Sequence, residues 1–302
     1  MDEFILAILF MALIGFCLFV KSYFPNGCER RRNLKVLITG STRGIGFALA
    51  KRFLELGDSV VITGRSQKSV DKALDELAMK NVFGVVCDVR DAASVQEALE
   101  FAADKLHHVD IVINNAGISY DKLAPIFDVE AETLRDVVDT NLVGSLFVAK
   151  FALQLFRKQK AGMLWLMDGA GSQGRATALF SAYGASKAAI PQLKKSLNAE
   201  LKKENLPKEI GVKCCSPGMV LTDLLLHGKE KIEKRLIFVF NVLCEKPNTV
   251  ANWLVPRIRL HSEKRGGKDY LKFLTIAGAI YRFCTFFKRK NRFFNDNGEL
   301  IE

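Results

Sequence analysis

The sequence is poor in the residue spacings that build metal centres and disulfide frameworks. It has seven cysteines, none of them in a C-x-x-C pair, and four histidines, of which only His107 and His108 are neighbours. Structural zinc sites and disulfide-stapled domains depend on closely spaced ligands or on paired cysteines. We therefore predict no metal site and no disulfide framework, and we expect a reducing compartment.

Other absences limit the overall class of protein. No internal repeat, low-complexity tract or interdomain linker interrupts the chain, and a content of 25% charged and 49% hydrophobic residues is ordinary for a globular protein. This composition excludes a disordered or fibrous chain. A length of 302 residues supports one large core, or two modest ones at most.

Apolar residues are concentrated at the N-terminus, where residues 4–20 carry no charge. A secretory signal peptide has a basic leader and a cleavage site between small residues, whereas this leader carries Asp2 and Glu3. A helix from roughly residue 4 to residue 24, within an anchor segment at residues 1–24, is just long enough to cross a bilayer, and a buried core helix is the weaker alternative. A basic juxtamembrane linker at residues 25–33 predicts that the rest of the chain lies on the cytoplasmic or stromal side. We therefore expect a single-pass membrane anchor.

Positive charge is concentrated at the other end of the chain. Most of the net charge of +11 falls between residues 257 and 292, and aromatic residues are interspersed with the basic ones through residues 260–302. No recognised nucleic-acid-binding module accompanies this segment, so we predict no nucleic acid and a tail that binds anionic lipid headgroups. The alternative, a solvated tail that packs some of its aromatic rings on the domain, is equally open.

Strand-like and helix-like segments alternate between these two ends. Apolar runs of the strand type occur at residues 34–39, 60–63, 82–87, 111–113, 163–167 and 212–215. Stretches with helical spacing lie between them, at residues 46–56, 69–79, 92–106, 133–159 and 182–203. Such alternation is typical of a parallel sheet. We predict an α/β fold in residues 34–259, with a single doubly wound, Rossmann-type parallel sheet, helices on both faces, and one transmembrane helix preceding it.

The turn after the first strand has the sequence T-G-S-T-R-G-I-G at residues 39–46. Glycines allow a tight turn and a close approach of the backbone to a pyrophosphate, and the N-terminus of the following helix attracts negative charge. The spacing is G-x-x-x-G-x-G rather than G-x-G-x-x-G, but its place at a strand-to-helix junction favours dinucleotide binding. The predicted contacts are Gly40, Ser41, Arg43, Gly44, Ile45 and Gly46.

The end of the second strand indicates which dinucleotide is bound. NAD-selective Rossmann domains carry an acidic residue near this point that binds the ribose 2′-hydroxyl, whereas this sequence has Gly64-Arg65-Ser66. Arg65, with Arg43 nearby, can bind a 2′-phosphate. We therefore predict NADP(H) as the cofactor.

Further residues follow the third and fourth strands, at the edge where open α/β sheets bind their ligands. Asp88 and Val89 end the third strand, and Asn115, Ala116 and Gly117 belong to an N-N-A-G sequence that ends the fourth. We expect all five at the cofactor.

Tyr183 and Lys187 are spaced Y-x-x-x-K at the start of a helical stretch. Residues four apart share a helix face, so both side chains can address one bound molecule. A phenol with a pKa of about 10 is a poor acid–base catalyst near neutral pH, and a nearby cation lowers that pKa. We predict that this pair carries the chemistry and that Lys187 lowers the pKa of Tyr183.

Taken in order, these motifs resemble those of the short-chain dehydrogenases/reductases over residues 34–259. The matching elements are T-G-x-x-x-G-I-G, N-N-A-G, Asn141, Y-G-A-S-K and P-G-M-V-L-T. The resemblance implies that Tyr183 is the general acid, that Lys187 holds the nicotinamide ribose, and that Asn141 positions a proton-relay water. It also implies cofactor contacts from the last motif, namely Pro217, Gly218, Val220 and Thr222.

One position departs from the family pattern. The serine that the family usually carries thirteen residues before the tyrosine is Ala170 here, and the nearest serine is Ser172. If the intervening loop is two residues shorter than usual, Ser172 reaches the substrate oxygen as a catalytic residue. If it is not, that hydrogen bond is missing. Ser181 is the less favoured replacement.

A narrower resemblance covers most of the C-terminal half. The sequences M-D-G-A-G-S, S-P-G-M-V-L-T-D-L-L-L, F-N-V-L-C-E and L-V-P-R-I-R, which begin at residues 167, 216, 240 and 254, are similar to those of the chlorophyll(ide) b reductases of plants and green algae. This implies reduction of the C7 formyl group of chlorophyll b to 7-hydroxymethyl chlorophyll a with NADPH, in chlorophyll catabolism at the thylakoid. The N-terminus, however, is not the Ser/Arg-rich stretch of a chloroplast transit peptide.

Apolar residues at 220–226 and 236–243 follow the sixth strand, where these folds place the substrate lid, and they suit a large lipophilic carbonyl substrate. Two alternatives stay open. One is a reductase of retinoid, steroid or lipid carbonyls at the endoplasmic reticulum or another membrane facing the cytosol. The other is a catalytically weak scaffold subunit of a membrane complex. A homo- or hetero-oligomer is compatible with each, since the family commonly pairs through its long helices.

Overall fold

The computed structural model describes residues 33–226, 232–263 and 265–301. The expected anchor at residues 1–24 and all but the last residue of the linker at 25–33 lie outside these ranges. Within the described ranges, no helix combines the length and the apolar composition that a membrane crossing requires. The transmembrane helix therefore stays a prediction.

A single sheet of seven parallel strands forms the centre of the described part of the chain. The strands are β1 (Lys35–Ile38), β2 (Ser59–Gly64), β3 (Val82–Val86), β4 (Ile111–Asn114), β5 (Gly162–Met167), β6 (Ile210–Ser216) and β7 (Tyr270–Lys272). Their order across the sheet is β3-β2-β1-β4-β5-β6-β7. The winding reverses between the neighbours β1 and β4. Ligands of such sheets bind in the crevice at this reversal, beyond the carboxyl ends of the strands.

Helices cover both faces of the sheet. They are α1 (Gly44–Glu55), α2 (Gln67–Leu77), α3 (Ala92–Leu106), α4 (Ala131–Val138), α5 (Gly144–Gln159), α6 (Ser181–Lys203), α7 (Asp223–Leu226), α8 (Lys234–Leu243), α9 (Pro247–His261) and α10 (Ile276–Cys284). Helices α1, α2 and α9 pack on one face, and α3, α5 and α6 pack on the other. A strand such as β2 is buried along its whole length, which explains why it is a continuous apolar run. The predicted doubly wound parallel sheet is confirmed.

The seventh strand lies in the segment that the sequence analysis assigned to a tail. β7 pairs in parallel with residues 214–216 of β6, and Leu271 at its centre is fully buried. The folded domain thus continues past residue 259, the end expected for it. Three residues are too few for a periodic pattern to separate a strand from a loop.

Arginines of the same C-terminal segment point inward. Arg282, Arg289 and Arg292 all reach the carboxylate of Glu245, with N···O distances of 3.2, 2.7 and 2.6 Å, and only 4% of the Glu245 side chain is exposed. Phe294 is fully buried nearby. Part of the positive charge expected for a lipid-binding tail is therefore neutralised inside the fold, as in the alternative in which the tail packs on the domain.

Candidate active site

The turn between β1 and α1 requires glycine where it meets the loop after β4. Gly40 has a φ of +60°, which side-chain-bearing residues rarely adopt, and a Cβ there would lie 2.9 Å from the Cα of Ala116. A Cβ at Gly46 would lie 2.5 Å from the side-chain nitrogen of Asn115. The two loops therefore approach each other as closely as their backbones allow.

Hydrogen bonds lock this turn to the N-N-A-G loop. The Thr39 hydroxyl accepts hydrogen bonds from the N–H groups of Asn115 and Ala116, each 3.0 Å long. The Asn115 amide donates to the carbonyl oxygens of Thr39 and Gly40 at 2.9 and 3.0 Å. Its Oδ1 atom is buried and has no hydrogen-bond partner among the described residues. An unsatisfied acceptor here fits a donor supplied by a ligand or by water.

A cavity of about 580 Å³ lies at this edge of the sheet. Its volume falls in the range of cofactor sites. The predicted cofactor residues that line it are Gly40, Arg43, Gly44, Ile45, Gly46, Arg65, Asp88, Val89, Asn115, Ala116, Gly117 and Thr222. Residues that sequence reasoning did not assign line it too: Thr42, Gly64, Ser66, Ser69, Cys87, Ile118, Thr140, Asp223 and Leu224. The N-terminus of α1, at Gly44, is part of this lining, so the cavity can accept a pyrophosphate.

Other predicted cofactor residues do not line this cavity, namely Ser41, Tyr183, Lys187, Pro217, Gly218 and Val220. Ser41 is fully buried, and its hydroxyl donates to the Ile38 carbonyl at 2.6 Å and accepts from the Thr63 N–H at 2.9 Å. The Ser41 side chain therefore holds the turn together. Gly218 has a φ of +73°, and a Cβ there would lie 2.8 Å from the Leu274 side chain, so it packs on the segment after β7.

Two arginines stand at the cavity where a phosphate group can lie. Arg43 and Arg65 are both exposed and both line the cavity. Arg43 forms an ion pair with Asp223 across the cavity mouth at 3.4 Å, and about three quarters of each side chain is exposed. Exposed pairs contribute little to stability, so a ligand phosphate can replace Asp223 as the partner of Arg43.

Tyr183 and Lys187 lie in the first turns of α6, and Lys187 is buried. The Lys187 Nζ atom lies 5.8 Å from the centre of the Tyr183 ring and donates to the Met167 carbonyl, at the end of β5, at 3.3 Å. The start of α6 is fixed by Tyr120, whose hydroxyl accepts a hydrogen bond from the Ala182 N–H at 2.9 Å. The structure thus brings the two predicted catalytic residues together at the carboxyl end of the sheet.

The pKa of Tyr183 departs from expectation. Burial, and then the negative charge of Asp168, raises the pKa of Tyr183 to about 12. Burial lowers the pKa of Lys187 to about 8, although Asp168 and Cys215 act in the opposite direction. The prediction that Lys187 lowers the pKa of Tyr183 is wrong, because desolvation of the phenolate and the negative charge of Asp168 both raise that pKa. A phenol that keeps its proton at neutral pH is suited to donate that proton to a carbonyl oxygen.

Asn141 lies in a single π-helical turn, Asp139–Val143, between α4 and α5. Its side chain is fully buried, accepts from the Ile118 N–H at 2.8 Å and donates to the Ile118 carbonyl at 2.9 Å. A Cβ added to Gly117 would lie 3.1 Å from Asn141 Oδ1 and 3.4 Å from Lys187 Nζ. Asn141 and Lys187 therefore approach the same point. The water relay through Asn141 stays a prediction.

The loop after β5 contains Ala170, the position at which the family pattern has a serine. Gly169 lies directly against Tyr183, and a Cβ at Gly169 would overlap the Tyr183 hydroxyl. The Ser172 hydroxyl donates to Asp168 Oδ2 at 3.0 Å. The loop residue nearest to the phenol thus carries no side chain, and Ser172 is bound to a carboxylate. A direct contact of Ser172 with substrate stays a prediction.

Two residues of this loop region were not predicted from the sequence. Asp168, the first residue after β5, is 2% exposed and accepts a hydrogen bond from the Tyr270 hydroxyl at 2.6 Å. A carboxylate directly after an apolar strand was the available signal for Asp168. Tyr270 offered none, because its strand is short and lies in the basic segment.

The chain has extensive similarity to known proteins. The family model described as short chain dehydrogenase matches residues 34–232. The chain is 42% identical over 267 residues to a protein named chlorophyll(ide) b reductase NOL, chloroplastic, of Oryza sativa subsp. japonica; the match covers 85% of this chain and 77% of that protein. It is 39% identical over 286 residues to probable chlorophyll(ide) b reductase NYC1, chloroplastic, of the same organism, covering 88% of this chain and 55% of that protein.

A solved structure shares the fold. The crystal structure of 3-ketoacyl-(acyl-carrier-protein) reductase from Brucella melitensis, complexed with NADH, aligns with a TM-score of 0.69 and 25% identity. The alignment covers 80% of this chain and 97% of the other. The Rossmann-like architecture and a nicotinamide cofactor therefore agree with the cavity described above.

Proposed function

Because the chain belongs to the short-chain dehydrogenase family and is an oxidoreductase, we propose that it is an NADPH-dependent reductase of a large lipophilic aldehyde, the C7 formyl group of chlorophyll b. The observation that carries the reaction type is the Tyr183–Lys187 pair at the carboxyl end of the sheet, beside a cavity of cofactor size. The names of the two rice relatives support the substrate. The product is 7-hydroxymethyl chlorophyll a.

The residues of this chain supply binding and the proton. The glycine turn and the N-terminus of α1 bind the pyrophosphate, and Lys187 holds the nicotinamide ribose. When bound, NADPH supplies a hydride for the carbonyl carbon. Tyr183 donates its proton to the carbonyl oxygen, since its pKa of about 12 keeps the phenol protonated at neutral pH. The carbon–oxygen double bond becomes an alcohol, and the phenolate regains a proton from solvent.

The segment after β6 supports a lipophilic substrate. An apolar cluster joins this segment to α8, with Ile232, Phe240 and Phe294 buried at its centre. Partly buried side chains surround it: Met219, Leu221, Leu225, Leu226, Leu236 and Ile237. An apolar wall next to Thr222, which lines the cofactor cavity, favours a large apolar ligand over a small polar one.

Purified full-length protein incubated with NADPH and chlorophyll b tests this proposal. We expect 7-hydroxymethyl chlorophyll a, identified by absorption and mass. Turnover only of retinal, steroid or lipid carbonyls would support the second enzyme function. NADPH binding without turnover of any carbonyl would support the scaffold subunit.

Selectivity for NADPH is attributed to Arg65 and Arg43. The Arg65→Asp variant removes a charge-assisted hydrogen bond and places a negative charge beside the 2′-phosphate, so NADPH affinity should fall at least about tenfold. NADH affinity should change little, and the preference should move towards NADH. Fluorescence titration with both cofactors measures the ratio.

The control for this variant is Arg157→Asp, which makes the same charge change on an exposed residue of α5. It should keep the wild-type ratio of affinities. An unchanged ratio in Arg65→Asp as well would mean that other residues bind the phosphate.

Membrane attachment is the second part of the proposal, and α10 supports it. Ile276, Ile280, Phe283 and Phe287 lie along one side of α10 and the turn that follows, and they are 60, 59, 39 and 63% exposed. Arg282, in contrast, is buried and pairs with Glu245. A surface helix normally buries its apolar side chains and exposes its charged ones. An exposed apolar stripe of this kind marks an interaction surface. Lys288 and Lys290 are exposed beside it, so an anionic bilayer suits both its apolar and its basic parts.

Hydrogen exchange of α10 in the full chain tests the membrane contact. With vesicles that contain phosphatidylglycerol, amides of residues 276–287 should exchange more slowly than without them, because the bilayer excludes water. Ile280→Glu should remove this protection, since a charge in the acyl region is unfavourable. Phe127→Glu, a change at a remote residue that is 84% exposed, should not. Equal exchange with and without vesicles would refute the contact.

A further inference from the structure

A buried carboxylate lies next to the catalytic pair. Asp168 Oδ2 accepts hydrogen bonds from the hydroxyls of Tyr270 and Ser172 at 2.6 and 3.0 Å. Asp168 Oδ1 is buried without a hydrogen-bond partner among the described residues. Burying a carboxylate is costly unless a cation or several donors compensate. A buried carboxylate with one oxygen atom outside any hydrogen bond therefore needs a positive charge nearby.

The positive charge of Lys187 acts on this carboxylate and lowers its pKa. The Lys187 ammonium donates to the carbonyl of Met167, the residue before Asp168, so the two charges lie on adjoining parts of the site. Burial raises the pKa of Asp168, and hydrogen bonds from Tyr270, Ser216 and Ser172, together with the charge of Lys187, oppose that rise. Three hydroxyl donors and the charge of Lys187 favour the ionised carboxylate.

The other titratable groups around Lys187 are neutral at neutral pH. On β6, burial raises the pKa of the Cys215 thiol well above its ordinary value. On α6 itself, the pKa of Tyr183 is about 12. Asn141, from the π-helical turn, has no charge. Among the described residues, Asp168 is thus the anion that acts on Lys187.

Asp168 also shapes the loop beneath the reacting phenol. Its bond to Ser172 spans the turn that contains Gly169, and the Ser172 N–H donates to the Gly169 carbonyl at 3.1 Å. Gly171 has a φ of +93°, and a Cβ there would lie 2.7 Å from the backbone of Gly184 on α6. The turn is therefore held between Asp168 and the helix that carries Tyr183.

We propose that Asp168 is a positioning residue of the reaction: held by Tyr270 and Ser172, it is the buried counter-ion of Lys187 and fixes the Gly169 turn against the Tyr183 hydroxyl. This rests on the proposed function, in which Lys187 holds the nicotinamide ribose. The family pattern places a serine in this loop. Here a carboxylate and a tyrosine from β7 organise the loop.

The pH dependence of NADPH binding tests the counter-ion without any need for turnover. In the wild type, affinity should fall as Lys187 loses its proton on the alkaline side. The Asp168→Asn variant keeps the shape of the side chain but removes its charge, so the pKa of Lys187 falls. The pH at which half of the NADPH affinity is lost, called the midpoint below, should therefore move to lower pH by about one unit or more. Fluorescence titration of the full chain at a series of pH values measures it.

A second variant separates the charge from the position of the loop. Tyr270→Phe keeps the carboxylate but removes its shortest hydrogen bond, so the midpoint should stay at its wild-type value. The kcat for the carbonyl that the wild type reduces should fall about tenfold or more, because the Gly169 turn is less well fixed. The KM for NADPH should stay near the wild-type value.

Asp269→Asn is the matched control, since Asp269 precedes Tyr270, has a half-exposed side chain and pairs with Lys194 at 2.7 Å. It should change neither the midpoint nor kcat. The proposal is overturned if the midpoint of Asp168→Asn equals that of the wild type. If Asp168→Asn does not fold, a wild-type kcat in Tyr270→Phe overturns it instead. A wild type that binds NADPH but leaves chlorophyll b unchanged would refute the proposed substrate only, because the binding midpoint still reports on Asp168.

Discussion

Tyr183→Phe is expected to lower kcat for carbonyl reduction by about 10²- to 10⁴-fold, the usual contribution of a general acid. The phenylalanine ring keeps the packing of Tyr183 against Phe180, whose ring centre lies 5.9 Å away, and only the proton donor is lost. NADPH affinity should therefore be nearly unchanged. Product analysis and fluorescence titration on the same preparation measure both quantities.

The control is Tyr281→Phe, which removes the hydroxyl of a tyrosine on α10 that is 47% exposed. It should leave kcat at the wild-type value. Full activity in Tyr183→Phe would exclude the phenol as the acid, whereas loss of both activity and NADPH binding would indicate a damaged site.

Glu245→Gln should cause the largest loss of stability, about 3–5 kcal/mol, because it leaves three arginines in a buried cluster without their shared anion. Arg282, Arg289 and Arg292 all approach this carboxylate within 3.2 Å. For a domain of this size, a loss of that order lowers the melting temperature by about 10 °C. Calorimetry or circular dichroism measures the change.

The loss of stability in Glu245→Gln should become smaller as the pH falls. Burial alone would raise the pKa of Glu245, but hydrogen bonds from Arg292 and Arg289 and the charge of Arg282 outweigh it and hold the pKa below its ordinary value. The carboxylate therefore contributes stability above its unfolded pKa of about 4.3, and the contribution is lost as the pH falls through the folded pKa. The difference in melting temperature between wild type and variant should shrink in that acidic range.

Glu204→Gln, at an exposed carboxylate after α6, is the control and should change stability by less than about 0.5 kcal/mol. If Glu245→Gln has an equally small effect at neutral pH, the three arginines do not depend on that charge. The same residue also fixes the segment after β6, since the Leu221 N–H donates to the Glu245 carbonyl and the Glu245 N–H donates to the Met219 carbonyl.

The cofactor edge of this fold was predictable from the sequence because its determinants are local. The glycine turn requires glycine for close approach and positive φ, Asn115 directly follows β4, and Thr222 lies in the segment after β6. Parallel strands bring their carboxyl ends to one edge, so residues far apart in the chain could be assigned to one cavity. Ser41 was assigned with them because a sequence does not show which way a side chain points within a turn.

The parts that escaped prediction depend on long-range pairing. Arg282 and its neighbours had the pattern of a solvated basic tail, because the sequence does not show that Glu245 is buried next to them. The direction predicted for the Tyr183 pKa shift was wrong, because helix spacing indicates the nearby lysine but does not show that the phenol is desolvated. The anchor at residues 1–24 and the role of Ser172 stay predictions.

The position of β7 in the chain determines when the enzyme becomes competent during synthesis. The residues that line the cofactor cavity all precede residue 225, so a nascent chain of that length already contains the residues of the dinucleotide site. Tyr270, which holds Asp168 beside the catalytic pair, emerges from the ribosome later. A chain shortened before β7 would thus retain its cofactor loops but lack the hydroxyl that orders the reacting side of the site. Under the proposal for Asp168, the part of the site that positions the catalytic pair is therefore synthesised after the part that binds the cofactor.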